Sequence, residues 1–337
     1  MTLPDPGPVA DLIEAFRRSK TMFAAVSLGT FDLLGSGPMT AAAVAESLGS
    51  HPEATSRLLE ACTGLGLLQS EDGIFANTPL AAAYLQTNSP NSLTGYIQYS
   101  NDALYALWSN LENAVREGTP RWAETFGWPG PIFDHFFSTP EKMRTFVLGM
   151  HGFGVLSSPS VVRAFDLSGF HAMADLGAAT GHLTVAACEA WPQLRGAVFD
   201  MEKVLPVARE IVAQSPAQDR ITFVAGDFFT DPLPPADLYA LGRILHDWTE
   251  EKIRLLLHRI AASLPSGGGL LLAEKILDED KRGPIHVQMQ SLNMLVCTEG
   301  RERTLSEYRD LLEAAGFEDV RGVRTGKAVD AILARRK

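Results

Sequence analysis

Residues 172–183, AMADLGAATGHL, run from a short apolar stretch through a turn of small residues into a helical pattern. Asp175-Leu176-Gly177-Ala178-Ala179-Thr180-Gly181-His182-Leu183 thus reads as a strand, a tight turn and the start of a helix. Gly177 permits the turn, and Ala178 and Ala179 keep the backbone low enough for a thin ligand to lie close. From about residue 170 the same grammar repeats in HAMADLG, GAVFD, ITFVAGD, ADLYALGRIL and GGGLLLAEKIL, closing with AVDAILARR. Short continuous apolar runs separated by amphipathic stretches predict βαβ units and a mostly parallel sheet covered on both faces. The fold class is α/β, Rossmann-like, and ligands belong beyond the C-terminal ends of the strands.

Upstream the pattern is helical, with apolar residues at spacings of three and four in Leu12, Ile13 and Phe16 and again in Met22, Phe23 and Val26. The 337 residues suit two domains, expected as a helical one over 1–160 and a cofactor-binding one over 161–337. Within the first, residues 39–80 have the outline of a winged helix. One helix begins after Met39 and ends at Gly49, a second runs from Glu53 to about Gly64, and a hairpin turns at Asp72-Gly73. That segment holds five acids (Glu46, Glu53, Glu60, Glu71, Asp72) against the single base Arg57, so packing or dimerisation is expected of it rather than DNA binding.

The whole chain carries 29 basic and 40 acidic residues, a formal charge of -11, which disfavours nucleic acid and anionic membranes as partners. Cys62, Cys188 and Cys297 are odd in number, far apart and set among apolar residues. They suggest neither a disulfide framework nor a zinc site, and the expected compartment is the reducing cytoplasm. The amino-terminal stretch MTLPDPGPVADLIEAF lacks the basic-then-apolar order of a signal peptide, and no membrane-spanning run is expected.

Two further loops extend the ligand reading. The second strand ends in Asp200, 23 residues beyond Gly177, where a carboxylate commonly accepts hydrogen bonds from ribose hydroxyls. The third ends in Gly226-Asp227-Phe228-Phe229, offering a carboxylate for the exocyclic amine of adenine and an aromatic face for its ring. Asp227 would serve equally as the cap of a turn before Pro232. The glycine spacing is not that of a dinucleotide fingerprint, and the turn supplies no cation for phosphate. An adenosine without pyrophosphate fits such a site, and S-adenosylmethionine is one.

The fourth strand runs into Arg243-Ile244-Leu245-His246-Asp247-Trp248. His246 stands where a general base would reach a substrate hydroxyl. A phenol titrates near 10 and a free imidazole near 6.5, so a neutral histidine can take the proton as the oxygen attacks a methyl carbon. Such a base is usually oriented by a carboxylate, and Glu274, ending GGGLLLAEKIL, and Glu302, within TEGRERT, are both candidates. Either also reads as an ordinary ion-paired glutamate.

The strings FDLSGFHAMADLGAATGHL, GDFFTDPLPPADLYALGRILHDW, LDEDKRGP, SLNMLVCTEGRERT and VDAILARRK closely resemble the hydroxyindole and plant-type small-molecule O-methyltransferases, particularly the acetylserotonin-methylating branch. They cover the chain from about residue 165 onward, and the helical half is similar in layout. The resemblance implies a class I methyltransferase domain with a seven-stranded, mostly parallel sheet and an antiparallel last strand. Before it would come an all-α winged-helix-type domain that makes a homodimer. It implies S-adenosylmethionine as cofactor, S-adenosylhomocysteine as product, no metal, and a small aromatic acceptor. It also implies cofactor contacts at Gly177, Asp200, Gly226, Asp227, Phe228 and Arg243. His246 would be the base, held by Glu274 and Glu302, with Asp247 and Asn293 near the acceptor.

The chain departs from the family in two places. Gly177-Ala178-Ala179 replaces a glycine-richer turn, and the aromatic residues that close over the cofactor correspond to Phe137 and Gly154. Trp128, Phe133, Met150 and Phe153 are candidate acceptor-pocket walls or plain core. An NAD-linked oxidoreductase would need the missing dinucleotide pattern, and a DNA-binding regulator would need cations. Transfer of the methyl group to nitrogen or carbon on the same fold stays open.

Overall fold

The seven-stranded sheet that these runs predict is present in the computed structural model of the chain, which describes residues 3–130 and 132–337. The first two residues of the amino-terminal stretch and Pro131 lie outside the described residues. The chain divides into two units, Met1–Tyr105 and Ala106–Lys337.

In the first unit a helix spans Gly7–Ser27, and helices Ala41–Leu48 and Pro52–Gly64 follow. The Thr40 hydroxyl accepts the Ala43 N–H at 3.3 Å to open the second helix, and Gly49, at φ 61°, closes it. Strands β1 (Met39–Thr40), β2 (Leu68–Glu71) and β3 (Ile74–Asn77) form a small antiparallel sheet in the order β1-β3-β2, so this unit is not wholly helical. Asp72 and Gly73, both at positive φ, make the β2–β3 turn. Phe31, Leu34, Val44, Leu59, Cys62 and Phe75 form its core.

In the second unit the strands are β4 (Ala172–Leu176), β5 (Arg195–Asp200), β6 (Ile221–Ala225), β7 (Leu238–Gly242), β8 (Gly269–Glu274), β9 (Ile276–Leu277), β10 (Arg303–Thr304), β11 (Phe317–Val323) and β12 (Asp330–Arg336). The main sheet has the order β11-β12-β8-β7-β4-β5-β6. Neighbours from β8 to β6 pair in parallel, and β12 pairs antiparallel with both β8 and β11. This is the class I methyltransferase topology, with the expected antiparallel last strand. Strand order reverses at β4, between β7 and β5, and the loops of interest leave the sheet at that switch.

Both faces of the sheet are covered, which explains the unbroken apolar runs. Leu271 and Ala273 pack into one core with Leu183 and Val198, and Leu270 and Leu272 into the other with Leu256 and Tyr308. Truncating a fully buried leucine such as Leu271 to alanine should cost about 3 kcal/mol.

The boundary expected near residue 160 falls at the end of helix Pro140–Val162. Val161 and Val162 of this helix lie in the same core as Leu183, Ala187 and Cys188 of helix His182–Ala190, so residues 106–162 belong to the second unit. Helix Pro140–Val162 is also long and apolar enough, by length and composition, to cross a bilayer, a property the sequence reading passed over. Its valines are spent on the protein core instead.

Candidate active site

The turn after β4 is built by backbone geometry. Gly177 sits at φ 71°, and a Cβ there would stand 2.7 Å from the Ile244 side chain and 3.2 Å from the Phe228 ring. Only glycine meets both conditions, and the contacts bring the loops after β4, β6 and β7 together. Ala179 also takes positive φ, 51°, and its N–H donates to Asp200 Oδ2 at 2.8 Å. Asp200 Oδ1 accepts the Met201 N–H at 2.8 Å, so the carboxylate ties the turn to the end of β5. Burial pushes the Asp200 carboxyl up to about 6, against these two hydrogen bonds.

In the loop after β6 Asp227 takes the turn-capping role. Its Oδ1 accepts the Phe229 N–H at 2.8 Å, while the residue stays exposed. Gly226 has a packing reason of its own, since a Cβ would meet the Phe199 ring at 2.5 Å. Phe228 begins an aromatic chain, at 4.8 Å from Phe229, which lies 5.1 Å from Trp248, itself 5.3 Å from Phe133. Phe137, Ala179 and Met201 pack against one small core of Met143, Val147, Val204 and Val207. Trp128 lies against His135 at 5.2 Å.

Arg243, at the end of β7, adopts φ 58°, and its N–H donates to the Ala273 carbonyl. Its guanidinium reaches Met150 Sδ at 3.7 Å, and its Nε is buried without a hydrogen-bond partner. An orphaned buried donor beside the small-residue turn fits a site that takes a polar, acceptor-bearing cofactor. Phe153, half-buried on helix Pro140–Val162, gives its carbonyl to the Ser157 hydroxyl.

His246 is 3% exposed, and its Nδ1 lies 2.8 Å from Glu302 Oε1. A carboxylate oxygen accepts, so Nδ1–H donates, and Nε2 carries the lone pair once the ring is neutral. Asp247 Oδ1 stands 3.7 Å from Nε2, and Glu274 Oε2 stands 3.7 Å from Nδ1. The two glutamates therefore act differently. Glu302 orients the ring, whereas Glu274 Oε1 accepts the N–H groups of Ile244 and Leu245 at 3.0 and 2.8 Å and holds the loop that carries His246.

Segment 298–303 is stitched to that loop, with the Glu299 N–H donating to the Asp247 carbonyl and Arg303 Nη1 donating to the Leu245 carbonyl. Gly300 permits the approach, since a Cβ there would overlap the His246 carbonyl at 2.2 Å.

Burial works against the His246 imidazolium, but Glu302, Glu274 and Asp247 together outweigh it and raise the ring above its ordinary range. Burial pushes Glu274 up to about 7 and also raises Asp247. His246, Glu274 and Glu302 offer ligand atoms within 4.8 Å of one another. Glu302 Oε1 is committed to His246 and Glu274 Oε1 to the backbone, whereas Glu302 Oε2 and Glu274 Oε2 are buried without a hydrogen-bond partner.

Asn293 lies on helix Ile285–Cys297, its Oδ1 accepting from Trp108 Nε1 at 2.8 Å and from Cys297 Sγ at 3.7 Å. Sequence reasoning missed Trp108, whose role depends on chain folding and which no spacing signals, and it named Ala179 without its positive φ. It also missed what fills the place of the absent aromatic at Gly154. A Cβ on Gly154 would stand 2.3 Å from the His182 ring. His182 Nδ1 bonds the Ser158 hydroxyl at 2.8 Å, and the neighbouring His151 Nδ1 bonds Thr180 at 2.8 Å. Glycine at 154 thus leaves room for the imidazole at the start of helix His182–Ala190. Burial holds His182 neutral, down to about 3.

Residues 10–87 match the O-methyltransferase dimerisation domain and residues 108–318 the O-methyltransferase domain. The chain is 43% identical to acetylserotonin O-methyltransferase of Bos taurus over 328 residues, covering 95% of each. Its structure is similar to that of human N-acetylserotonin methyltransferase in complex with SAM (TM-score 0.94, 40% identity, 100% of this chain and 99% of that one). It is also similar to an N,N-8-amino-8-demethyl-D-riboflavin dimethyltransferase from Streptomyces davawensis (TM-score 0.83, 26% identity, 99% of this chain and 100% of that one). With the sheet, the turn and the histidine cluster in the same chain, the protein belongs to the O-methyltransferase family and is an S-adenosylmethionine-dependent enzyme of that family.

Proposed function

We propose that the protein methylates a hydroxyl of a small aromatic acceptor of the phenol or hydroxyindole type, with His246 as general base. The observation that carries this is the 2.8 Å bond from His246 Nδ1 to Glu302, which fixes the tautomer and leaves Nε2 to take a proton. S-adenosylmethionine supplies, when bound, a sulfonium methyl group that passes to an oxygen nucleophile while the S–C electron pair returns to sulfur, giving S-adenosylhomocysteine. The acceptor hydroxyl gives its proton to His246 Nε2 as its oxygen forms the new bond to carbon. Glu302 and Asp247 stabilise the imidazolium that results, and Asn293, oriented by Trp108, positions the acceptor beside Asp247.

Gly177, Asp200, Gly226, Asp227, Phe228 and Arg243 hold the cofactor in this reading, and Met150 and Phe153 wall the acceptor. Support comes from Gly177, Phe228 and Ile244 converging on one turn. A hydroxyindole acceptor is suggested by the bovine relative's name. Transfer to nitrogen is the second reading, because the Streptomyces davawensis relative is named as an N,N-dimethyltransferase.

We infer that the protein works as a homodimer. Val9, Leu12, Ile13 and Phe16 form an exposed apolar stripe on helix Gly7–Ser27, within the unit that matches a dimerisation domain. Three free, buried cysteines suit a reducing cytoplasm, and the net charge of -11 makes nucleic acid and anionic membrane poor partners. A screen of phenols, hydroxyindoles and aryl amines with labelled cofactor tests the reaction. O-methylated product is expected, and exclusive N- or C-methylation would overturn it.

A further inference from the structure

Lys275 directly follows Glu274 at the end of β8. It sits in the break between β8 and β9, in neither strand. Its ammonium is half-buried and makes one hydrogen bond, to Gln290 Oε1 at 3.2 Å. The carboxylates whose charge reaches it are committed elsewhere, Glu302 to His246 and Asp330 to Arg324. Burial and the charge of Arg243 bring the lysine down to about 8, the condition of an ammonium without a close counterion.

Gln290 is 8% exposed, and its Nε2 is buried with no hydrogen-bond partner. The Gln290 amide thus leaves its Nε2 donor without an acceptor beside an ammonium whose one partner is the same amide's oxygen, and buried donors are rarely left so. Gln290 lies one turn before Asn293 on helix Ile285–Cys297, and Cys297 follows one turn after, within electrostatic reach of Asp247. The row Gln290, Asn293, Cys297 spans about 10 Å at 1.5 Å per residue, from Gln290, which accepts from Lys275, to Cys297, which feels the charge of Asp247. One aromatic ring with a short acid side chain fills such a span.

We propose that Lys275 and Gln290 form an acceptor subsite for an anionic group, so that the enzyme prefers a hydroxyaromatic carboxylate with its hydroxyl at His246 and its carboxylate on Lys275 Nζ and Gln290 Nε2. A carboxylate is acceptor-only and satisfies both donors at once, and its charge answers the unpaired ammonium. The proposal rests on the methyl-transfer reading above and adds to it the class of acceptor.

The test uses the full-length protein with 5-hydroxyindole-3-acetate and 4-hydroxyphenylpropanoate, each beside its methyl ester. The acids should exceed their esters in kcat/KM by about tenfold or more, through KM. In Lys275→Met that ratio should collapse towards one, and Lys275→Arg should restore part of it. Equal use of acid and ester by the wild-type enzyme, or a ratio that survives Lys275→Met, overturns the proposal. Calorimetry of the two acids on protein loaded with S-adenosylhomocysteine reads the subsite without turnover. Binding that Lys275→Met weakens about tenfold supports the subsite even if no methylated product forms, and absent or equal binding overturns it.

Discussion

Two neighbouring parts of the same sheet edge are built by opposite means. The turn at 177–181 is held by backbone geometry, with Gly177, Ala179 and Gly181 at positive φ, close packing on Ile244, and one buried carboxylate accepting backbone N–H groups. The His246 cluster is held by side-chain charge, with three acids and an imidazole brought together from three separate segments. The first presents a shape that can stay put through the reaction. The second sets acids against a base, with the Glu274 carboxyl and the His246 ring both raised above their ordinary values. Shape should govern cofactor affinity, and charge should govern the rate.

The largest expected effect separates these two quantities. His246→Ala should lower turnover by about 10²- to 10⁴-fold while S-adenosylmethionine binding, read by calorimetry, stays near the wild-type value. Parallel loss of both would break the division. Gly177→Val should do the reverse in kind, weakening cofactor binding about tenfold or more, because a side chain at φ 71° meets Ile244 and strains the turn by about 1–3 kcal/mol. Undiminished affinity in that variant would show that the turn does not touch the cofactor.

The pH dependence sharpens the charge side. His246 must be neutral to accept a proton, so kcat/KM should fall as pH drops through its raised pKa, giving an acidic limb above the ordinary imidazole value of 6.5. Removing a carboxylate that favours the imidazolium lowers that pKa. In Glu302→Gln the limb should therefore move to lower pH, with a plateau reduced about tenfold through lost orientation. A limb that stays in place would remove Glu302 from the base. The smallest effect is expected at Asp227→Asn. The amide oxygen can still cap the turn at Phe229, so cofactor affinity should fall only a few-fold, about 1 kcal/mol.

The same contrast decides what could be read from the sequence. Strand ends, the small-residue turn and Asp200 are local features, fixed by apolar runs and glycine spacing, and the sheet followed from them. His246 was legible as the residue one strand delivers to the edge. The distinct jobs of Glu274 and Glu302 were not, because they depend on which oxygen meets a ring nitrogen and which meets the backbone. Gly154 read as a lost aromatic, and only packing reveals that His182 takes the space. The helices 106–162 look like their amino-terminal neighbours by periodicity, yet Val161 and Val162 bury against the cofactor domain, a tertiary choice that periodicity does not carry. Lys275 and Gln290 gave no signal, since a lysine after a strand is usually solvated.

The most direct test of His246 as the base is the dependence of turnover on acceptor acidity, measured for wild type and His246→Ala across phenols from those titrating near 10 to nitrophenols already ionised at neutral pH. A base is needed only when the acceptor still holds its proton. His246→Ala should therefore lose most of its rate on the weakly acidic phenols and little on the ionised ones. An equal loss across the series would contradict proton removal by His246.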